Sequence, residues 1–110
     1  MLEARGMRIL ARNARPRGRR GEIDLIAVEG DALVFVEVKA RREGSTAGPE
    51  RPVLAVGPRK QLQLRRLAAA WLAERPAGMP YCAEIRFDVV GLRLDAAGRV
   101  TEWEYLRGAF

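Results

Sequence analysis

The sequence predicts an α/β protein with a mixed β-sheet of about five strands flanked by helices. Three observations favour this fold class. Two short apolar runs flank a turn between residues 21 and 42, a later stretch has helical periodicity, and two more strand-like runs follow that stretch. A helix between successive strands allows them to pair in parallel, whereas a tight turn makes them antiparallel, so both kinds of pairing are expected in one sheet.

A β-hairpin is predicted in the first of these regions. Its apolar runs, 23–28 and 33–38, are too short for typical helices and are rich in β-branched residues, and Gly30-Asp31 between them has turn chemistry. Both faces of the hairpin are apolar, which predicts a central position in the sheet, covered on both sides. Strand alternation places Ile26 on one face and Ile23 on the other.

The length of the turn fixes which charged residues of the hairpin face each other. A two-residue loop places Asp24 opposite Glu37 and Glu22 opposite Lys39, and all four then share one face. Opposed Cβ atoms in a sheet are about 5 Å apart, so the Asp24 and Glu37 carboxylates repel each other. A divalent cation would remove this conflict. A loop with an odd number of residues would break the register.

The other elements are predicted in chain order from periodicity and from Gly and Pro positions. They are a helix end that stops at Gly6, a strand over 7–13, a basic loop over 14–20, a long loop over 43–57 that we expect to be flexible, a helix from 59 to 75 with Pro58 in its first turn, a strand over 83–94 with a bulge at Gly91, a turn at 96–98 and a strand over 100–106.

Length and composition exclude several classes of protein. The 110 residues suggest a single domain, 1–110, and no apolar run approaches the ~20 residues of a membrane span. No signal peptide is recognisable, and Cys82, the single cysteine, cannot form an internal disulfide, so we expect a cytoplasmic protein with no membrane partner. The absence of histidine, together with the single cysteine, excludes the usual zinc-binding clusters.

The net charge of +6 comes from arginine, because Lys39 and Lys60 are the only lysines among 20 basic residues. Arginine makes bidentate contacts with phosphate, which favours a nucleic-acid partner, although a GC-rich genome produces the same bias. Several arginines flank the hairpin at the end where its acidic residues lie, and this position favours phosphate binding. The candidate phosphate-binding residues are Arg15, Arg19, Arg20, Arg41 and Arg42.

The four charges of the hairpin suit metal-assisted hydrolysis of a phosphodiester. Asp24 and Glu37 can hold Mg²⁺ or Mn²⁺, and the backbone carbonyl of Val38 can add an oxygen ligand. Lys39, on the same face, can orient or deprotonate the attacking water or stabilise negative charge in the transition state. Glu22 is either an accessory acid or the partner of Lys39 in an ordinary ion pair.

Two more charged residues are open to a structural or a functional interpretation. Lys60 lies at the start of the buried face of the predicted helix, where it either extends into solvent from the edge of the core or serves the site. Asp88 either pairs with a neighbouring arginine or contributes to the site.

Asp24 followed by Glu37-Val38-Lys39 resembles the PD-(D/E)xK signature of the restriction-endonuclease-like superfamily. The longer sequence resembles the YraN family of small bacterial proteins, through ILARN (9–13), GEIDLIA (21–27), LVFVEVKAR (33–41), Lys60 and RFDVV (86–90).

The resemblance implies an endonuclease-like α/β core similar to that of archaeal Holliday-junction resolvases. It implies metal binding by Asp24 and Glu37 and a catalytic role for Lys39, and Glu22 matches an adjacent acidic residue. Superfamily nucleases often carry a further glutamate on a helix before the first strand. Here that helix is short, beginning at about LEARG, and Glu3 is the only acidic residue on it.

Two functions follow from the residues and the resemblance together, and a protein-interaction domain that uses the 40–57 loop is a third alternative. One is a Mg²⁺- or Mn²⁺-dependent nuclease acting on branched or structured DNA, for which cleavage of a junction would call for a homodimer. The other is a nucleic-acid-binding module of the same fold with weak or no catalytic activity.

Overall fold

The computed structural model describes residues 2–44, 51–74, 78 and 82–110. Within these residues the chain forms five strands, one α-helix and two short 3₁₀ helices. The strands are β1 (Arg8–Ala14), β2 (Ile23–Glu29), β3 (Ala32–Arg42), β4 (Glu84–Leu94) and β5 (Val100–Leu106), the α-helix is α1 (Pro58–Glu74), and the 3₁₀ helices are Glu3–Arg5 and Pro52–Leu54.

The five strands form one mixed sheet in the order β1-β2-β3-β4-β5. Strands β3 and β4 are parallel and pair from Ala32–Glu84 to Arg42–Leu94, whereas the other neighbours are antiparallel. The single parallel pair is joined by the crossover that contains α1, as parallel pairing requires. The predicted α/β fold with about five strands is therefore confirmed, and it is consistent with a restriction-endonuclease-like core.

The predicted register of the central hairpin is also confirmed. Gly30 has a φ of +60°, and the two-residue loop brings Glu29 opposite Ala32. The backbone pairing of β2 with β3 continues to Leu25–Val36 and ends there. Asp24 and Glu37 are the next residues on each strand, so they lie at the point where the hairpin opens.

Both faces of the sheet are covered by apolar residues. The face that contacts α1 carries a cluster of Ile23, Ile26, Leu33, Phe35, Leu64, Leu67, Ala68 and Phe87. The opposite face, covered by the first 3₁₀ helix, carries a cluster of Leu2, Met7, Ala27, Ala32, Val34, Val36 and Val90. The prediction that Ile23 and Ile26 lie on opposite faces was wrong, because both belong to the cluster beside α1. Ile23 lies beyond the pairing with β3 and pairs only with Ala14 of β1, next to Asn13, whose φ of +50° distorts that strand.

Part of the predicted loop 43–57 packs against the sheet. Residues 45–50 lie outside the described residues, but Pro52–Leu54 form a 3₁₀ helix in which Pro52 and Val53 are buried. This turn packs on β4 at Gly91, where an added Cβ would lie 2.7 Å from the backbone nitrogen of Val53. Gly91 therefore serves close packing. The predicted bulge there was wrong, because the pairing of β4 with β5 is irregular only between Arg93 and Leu94.

The remaining boundaries agree closely with prediction. The N-terminal helix end is a single 3₁₀ turn that stops at Gly6, whose φ is +87°. Helix α1 begins at Pro58, and β5 has the predicted bounds. In the described part of the chain, no helix has the length and apolar character needed to cross a membrane.

Candidate functional site

The open end of the hairpin and the start of α1 bring charged side chains together. Glu37 is on β3 and only 5% exposed. Lys60, in the first turn of α1, lies against it, with 3.3 Å between Lys60 Nζ and Glu37 Oε2. Because β3 is central in the sheet and α1 covers one face of it, Glu37 is shielded from water on several sides. The site is thus a buried carboxylate with one cation beside it.

Asp24 is held in place by the backbone of the neighbouring strand. The Val38 N–H donates a hydrogen bond of 2.7 Å to Asp24 Oδ2. This bond forms just beyond Leu25 and Val36, the last paired residues of the hairpin. The Asp24 side chain there accepts from a strand amide in place of a backbone carbonyl. One oxygen of Asp24 is therefore anchored to the residue that follows Glu37, and the two carboxyl groups are kept close together.

The environment of Glu37 disfavours its charged form. Burial raises the pKa of Glu37, the hydrogen bond and negative charge of the neighbouring Asp24 carboxyl raise it further, and Lys60 lowers it, with a result of about 7. Without a cation, the acidic pair therefore retains a proton up to about neutral pH.

The buried oxygen of Glu37 is incompletely satisfied. Lys60 Nζ lies at ion-pair distance from Oε2, and Oε2 accepts no hydrogen bond from the described residues. Such buried oxygens are rare in native structures because leaving one unsatisfied costs about 1–3 kcal/mol. A divalent cation between Asp24 and Glu37 would satisfy this oxygen and neutralise the paired charges, so the residues present fit such an ion.

Comparison with known proteins places these residues in a family context. The uncharacterised protein family UPF0102 matches residues 1–92, which include every residue of the acidic pair and its two lysines. The chain belongs to this family. That assignment confirms the predicted resemblance to the YraN family.

Similar UPF0102 proteins occur in distant bacteria. The chain is 48% identical to a UPF0102 protein of Streptomyces griseus over 93% of this chain and 81% of the relative. It is 43% identical to one of Mycolicibacterium vanbaalenii over 97% of this chain and 81% of the relative, and 42% identical to one of Moorella thermoacetica over 100% and 85%. The match therefore covers almost the whole chain.

In this UPF0102 chain, the predicted catalytic Lys39 and the predicted accessory Glu22 lie in different environments. Lys39 is half-buried on β3, and no ion pair to it is formed within the described ranges. Glu22 precedes β2 and pairs with Arg15 at 2.9 Å, so the Glu22–Lys39 ion pair is not formed. Beyond the paired part of the hairpin, the register no longer determines which side chains meet. The role of the Val38 carbonyl stays a prediction.

The predicted phosphate-binding arginines divide into separate groups. Arg19 and Arg20 line a cavity of about 330 Å³ together with residues of α1. Arg41 lines another cavity, which it shares with Arg93 of β4, and Arg42 is exposed at the end of β3. Arg15 is engaged with Glu22. In the described structure the five arginines therefore do not all line one cavity.

Sequence analysis missed two arginines of this surface. Arg59 and Arg66, both on α1, line the same cavity as Arg19 and Arg20. Their spacing of seven residues, two helical turns, places them on one side of the helix. That spacing was available in the sequence, but the packing of the basic loop against this side was not.

Asp88 is a structural residue in this UPF0102 chain. It is fully buried, and its Oδ1 accepts hydrogen bonds from Arg86 Nε and Gly108 N, each at 2.9 Å. Its Oδ2 accepts from Arg86 Nη2 at 3.0 Å and from the Tyr105 hydroxyl. Arg86 also pairs with Glu29 at 2.8 Å. Of the two interpretations of Asp88, the pairing with a neighbouring arginine is the one the structure contains.

Proposed function

We propose that this protein is a Mg²⁺- or Mn²⁺-dependent nuclease that hydrolyses phosphodiester bonds, with branched or structured DNA as its substrate. The observation that supports it most is the buried Glu37 oxygen, which accepts no hydrogen bond from the residues that the structure describes and lies beside Asp24 and a lysine of α1. A buried carboxylate that lacks hydrogen bonds is stabilised either by a proton, in line with the raised pKa of Glu37, or by a bound cation.

Each residue of the pair and its surroundings has a separate role in this proposal. Asp24, oriented by the Val38 amide, and Glu37 would hold the cation. The cation would polarise a phosphate oxygen and activate water. Lys39, two residues from Glu37 on the same strand, orients water or stabilises the charge that develops on the phosphate. Lys60 holds the Glu37 carboxylate by its ion pair at 3.3 Å and keeps it from turning away.

The protein's charge supports DNA as the substrate. Its net charge of +6 and the arginines on the loop before β2 suit a phosphate backbone. Cleavage of a four-way junction requires two strands to be cut, so on that substrate we expect two copies of the chain to act together.

A specific observation favours a second candidate, a nucleic-acid-binding module without efficient cleavage. Within the described part of the chain, no group of three or more acidic, histidine or cysteine side chains is gathered in one place. Two carboxylates leave most positions of a Mg²⁺ ion to water, because the ion prefers six oxygen ligands. Weak metal binding would then limit the reaction.

The test is a nicking assay on branched and plasmid DNA with Mn²⁺, comparing the wild type with Glu37→Gln. Glu102→Gln, which removes a carboxylate that is 72% exposed on β5, is the matched control. We expect nicking by the wild type and the control and at least about a hundredfold loss in Glu37→Gln, as for removal of a group that stabilises the transition state. Nicking that survives Glu37→Gln would refute the proposed site. Binding without nicking in the wild type would support the second candidate.

A further inference from the structure

A basic groove lies between the loop before β2 and the outer side of α1. We define it by the cavity of about 330 Å³ described above. Two of its arginines come from the loop and two from the helix, and apolar and amide side chains complete it. The residues that line the groove are Arg19, Arg20, Arg59, Leu62, Gln63, Arg66 and Leu67.

The two sides of the groove are fixed relative to each other. Near the end of α1, the Arg17 N–H donates to both carboxylate oxygens of Glu74, at 2.9 and 3.3 Å. Further back along the helix, Gly21 is so close to Gln63 that an added Cβ would lie 2.6 Å from Gln63 Nε2. The same amide donates to the Arg20 carbonyl at 3.5 Å. The loop is therefore attached to α1 at two places, with the arginines between them.

The charge of the groove is not balanced by the protein around it. Arg19, Arg20, Arg59 and Arg66 form no ion pair with any carboxylate that the structure describes. Four like charges around one small cavity repel each other, and an anion placed among them relieves this repulsion. Guanidinium groups bind phosphate oxygens in pairs, so a phosphate chain is the anion that matches this arrangement. Leu62, 49% exposed, adds an apolar surface for sugars.

The groove and the acidic pair are both in contact with the start of α1, because Arg59 lines the groove and the next residue, Lys60, pairs with Glu37. Gln63 follows Lys60 by three residues, which is a rise of about 4.5 Å along a helix. Lys60 Nζ in turn lies 3.3 Å from Glu37 Oε2. The groove and the site proposed for hydrolysis are therefore linked through neighbouring residues of α1.

We infer that the groove between this loop and α1 binds the phosphodiester backbone of the DNA strand that enters the Asp24–Glu37 site. The inference rests on the proposed function for the identity of the substrate. It assigns DNA contacts to Arg59 and Arg66 of α1. Arg41 and Arg42, at the end of β3, are not part of this groove.

The experiment measures binding in EDTA, so that it does not depend on metal or cleavage. The affinity of the wild type for a fluorescein-labelled DNA duplex is measured by anisotropy over a series of salt concentrations. It is compared with that of the double variant Arg59→Ala/Arg66→Ala. The control is Arg8→Ala/Arg99→Ala, which removes the same charge at exposed positions outside the groove.

We expect the groove variant to bind at least about tenfold more weakly at low salt, and the slope of log affinity against log salt to fall by up to about 1.8, since each lost phosphate contact removes about 0.9. The control should change much less. Equal losses in both variants would refute the inference, because binding would then follow net charge alone. Folding of each variant is checked by its unfolding midpoint in urea.

The outcome is separable from that of the nuclease proposal. If the wild type nicks DNA with Mn²⁺ but both variants bind alike, the groove is refuted and the nuclease proposal stands. If the wild type does not nick, but the groove variant alone loses affinity, the groove is supported as the contact surface of a binding module.

Discussion

Among the residues that the structure describes, two carboxylates are buried in the sheet, and their surroundings differ. Asp88 on β4 is 0% exposed, and both its oxygens accept hydrogen bonds from Arg86 and from other groups. Glu37 on β3 is 5% exposed, and its Oε2 lacks a hydrogen-bond partner among the described residues. The two carboxylates are therefore buried to nearly the same extent, but within the described part of the chain only Asp88 has hydrogen-bond partners for both oxygens.

This difference separates a carboxylate that serves the fold from one that is available to a ligand. A buried charge with an ion pair and a full set of hydrogen bonds is compensated within the protein, and removing one partner exposes the other to a large penalty. A buried carboxylate beside a second acid is compensated only in part, and burial with that acid raises the pKa of Glu37 to about 7. We therefore expect the free energy of unfolding to change in opposite directions when each carboxylate is replaced by its neutral amide.

The largest effect is expected from Asp88→Asn. The amide cannot pair with Arg86, whose buried charge then lacks its main partner, so the free energy of unfolding should fall by about 3–5 kcal/mol. Urea unfolding monitored by tryptophan fluorescence measures it. Asp31→Asn in the exposed hairpin turn is the control and should change stability by less than about 0.5 kcal/mol. If the free energy of unfolding of Asp88→Asn falls by less than about 1 kcal/mol, Asp88 does not have the structural role assigned to it.

The next effect concerns the pH dependence of stability. Because the pKa of Glu37 is raised to about 7 in the folded chain, from 4.5, the folded state retains a proton between these values that the unfolded state has lost. The free energy of unfolding therefore falls as pH rises through this window, by about 3 kcal/mol at 1.4 kcal/mol per pH unit.

Comparison with Glu37→Gln isolates this contribution, because the amide does not titrate. In urea unfolding at pH 5 and pH 8, the wild type should lose stability relative to Glu37→Gln by up to about 3 kcal/mol. Parallel pH profiles for the two proteins would mean that Glu37 titrates at its ordinary pKa, and the contrast with Asp88 would disappear.

Divalent cations should reverse the loss of stability that is expected as pH rises. At pH 8 an ion bound between Asp24 and Glu37 stabilises the folded state, by about 2.7 kcal/mol when its concentration is a hundred times the dissociation constant. Thermal unfolding with and without Mn²⁺ measures this effect. Asp24→Asn and Glu37→Gln should abolish the shift, whereas Glu102→Gln should keep it. An equal shift in all four proteins would indicate binding elsewhere.

The sequence predicted one of the two carboxylate environments better than the other. The hairpin register depends on a two-residue turn and on alternation within twenty residues, both of which are local signals. The surroundings of Asp88 depend on contacts with Tyr105 and Gly108, which lie beyond a separate hairpin turn. Arg86, two residues away, was the only member of that network that sequence spacing could suggest.

The same distinction applies within the candidate site. Asp24, Glu37 and Lys39 were found from strand alternation, and Lys60 from its position on the helical stripe. The hydrogen bond from the Val38 amide to Asp24 could not be predicted, because it forms where the regular ladder ends. The pairing of Glu22 with Arg15 likewise depends on the path of an irregular loop.

The smallest effect is expected from Lys60→Met, which tests how far one cation compensates Glu37. Lys60 is 32% exposed and lowers the pKa of Glu37, so its loss should raise that pKa above about 7. The methionine retains the apolar part of the lysine side chain, and stability at pH 8 should fall by only about 0.5–1 kcal/mol.

The Glu37 carboxyl resonance followed by NMR over pH gives the pKa directly. Its midpoint should move upward in Lys60→Met and stay unchanged in Arg8→Met, where an exposed arginine outside the site is replaced. A downward or absent shift would show that Lys60 does not compensate Glu37, and that the acidic pair depends on a bound cation alone.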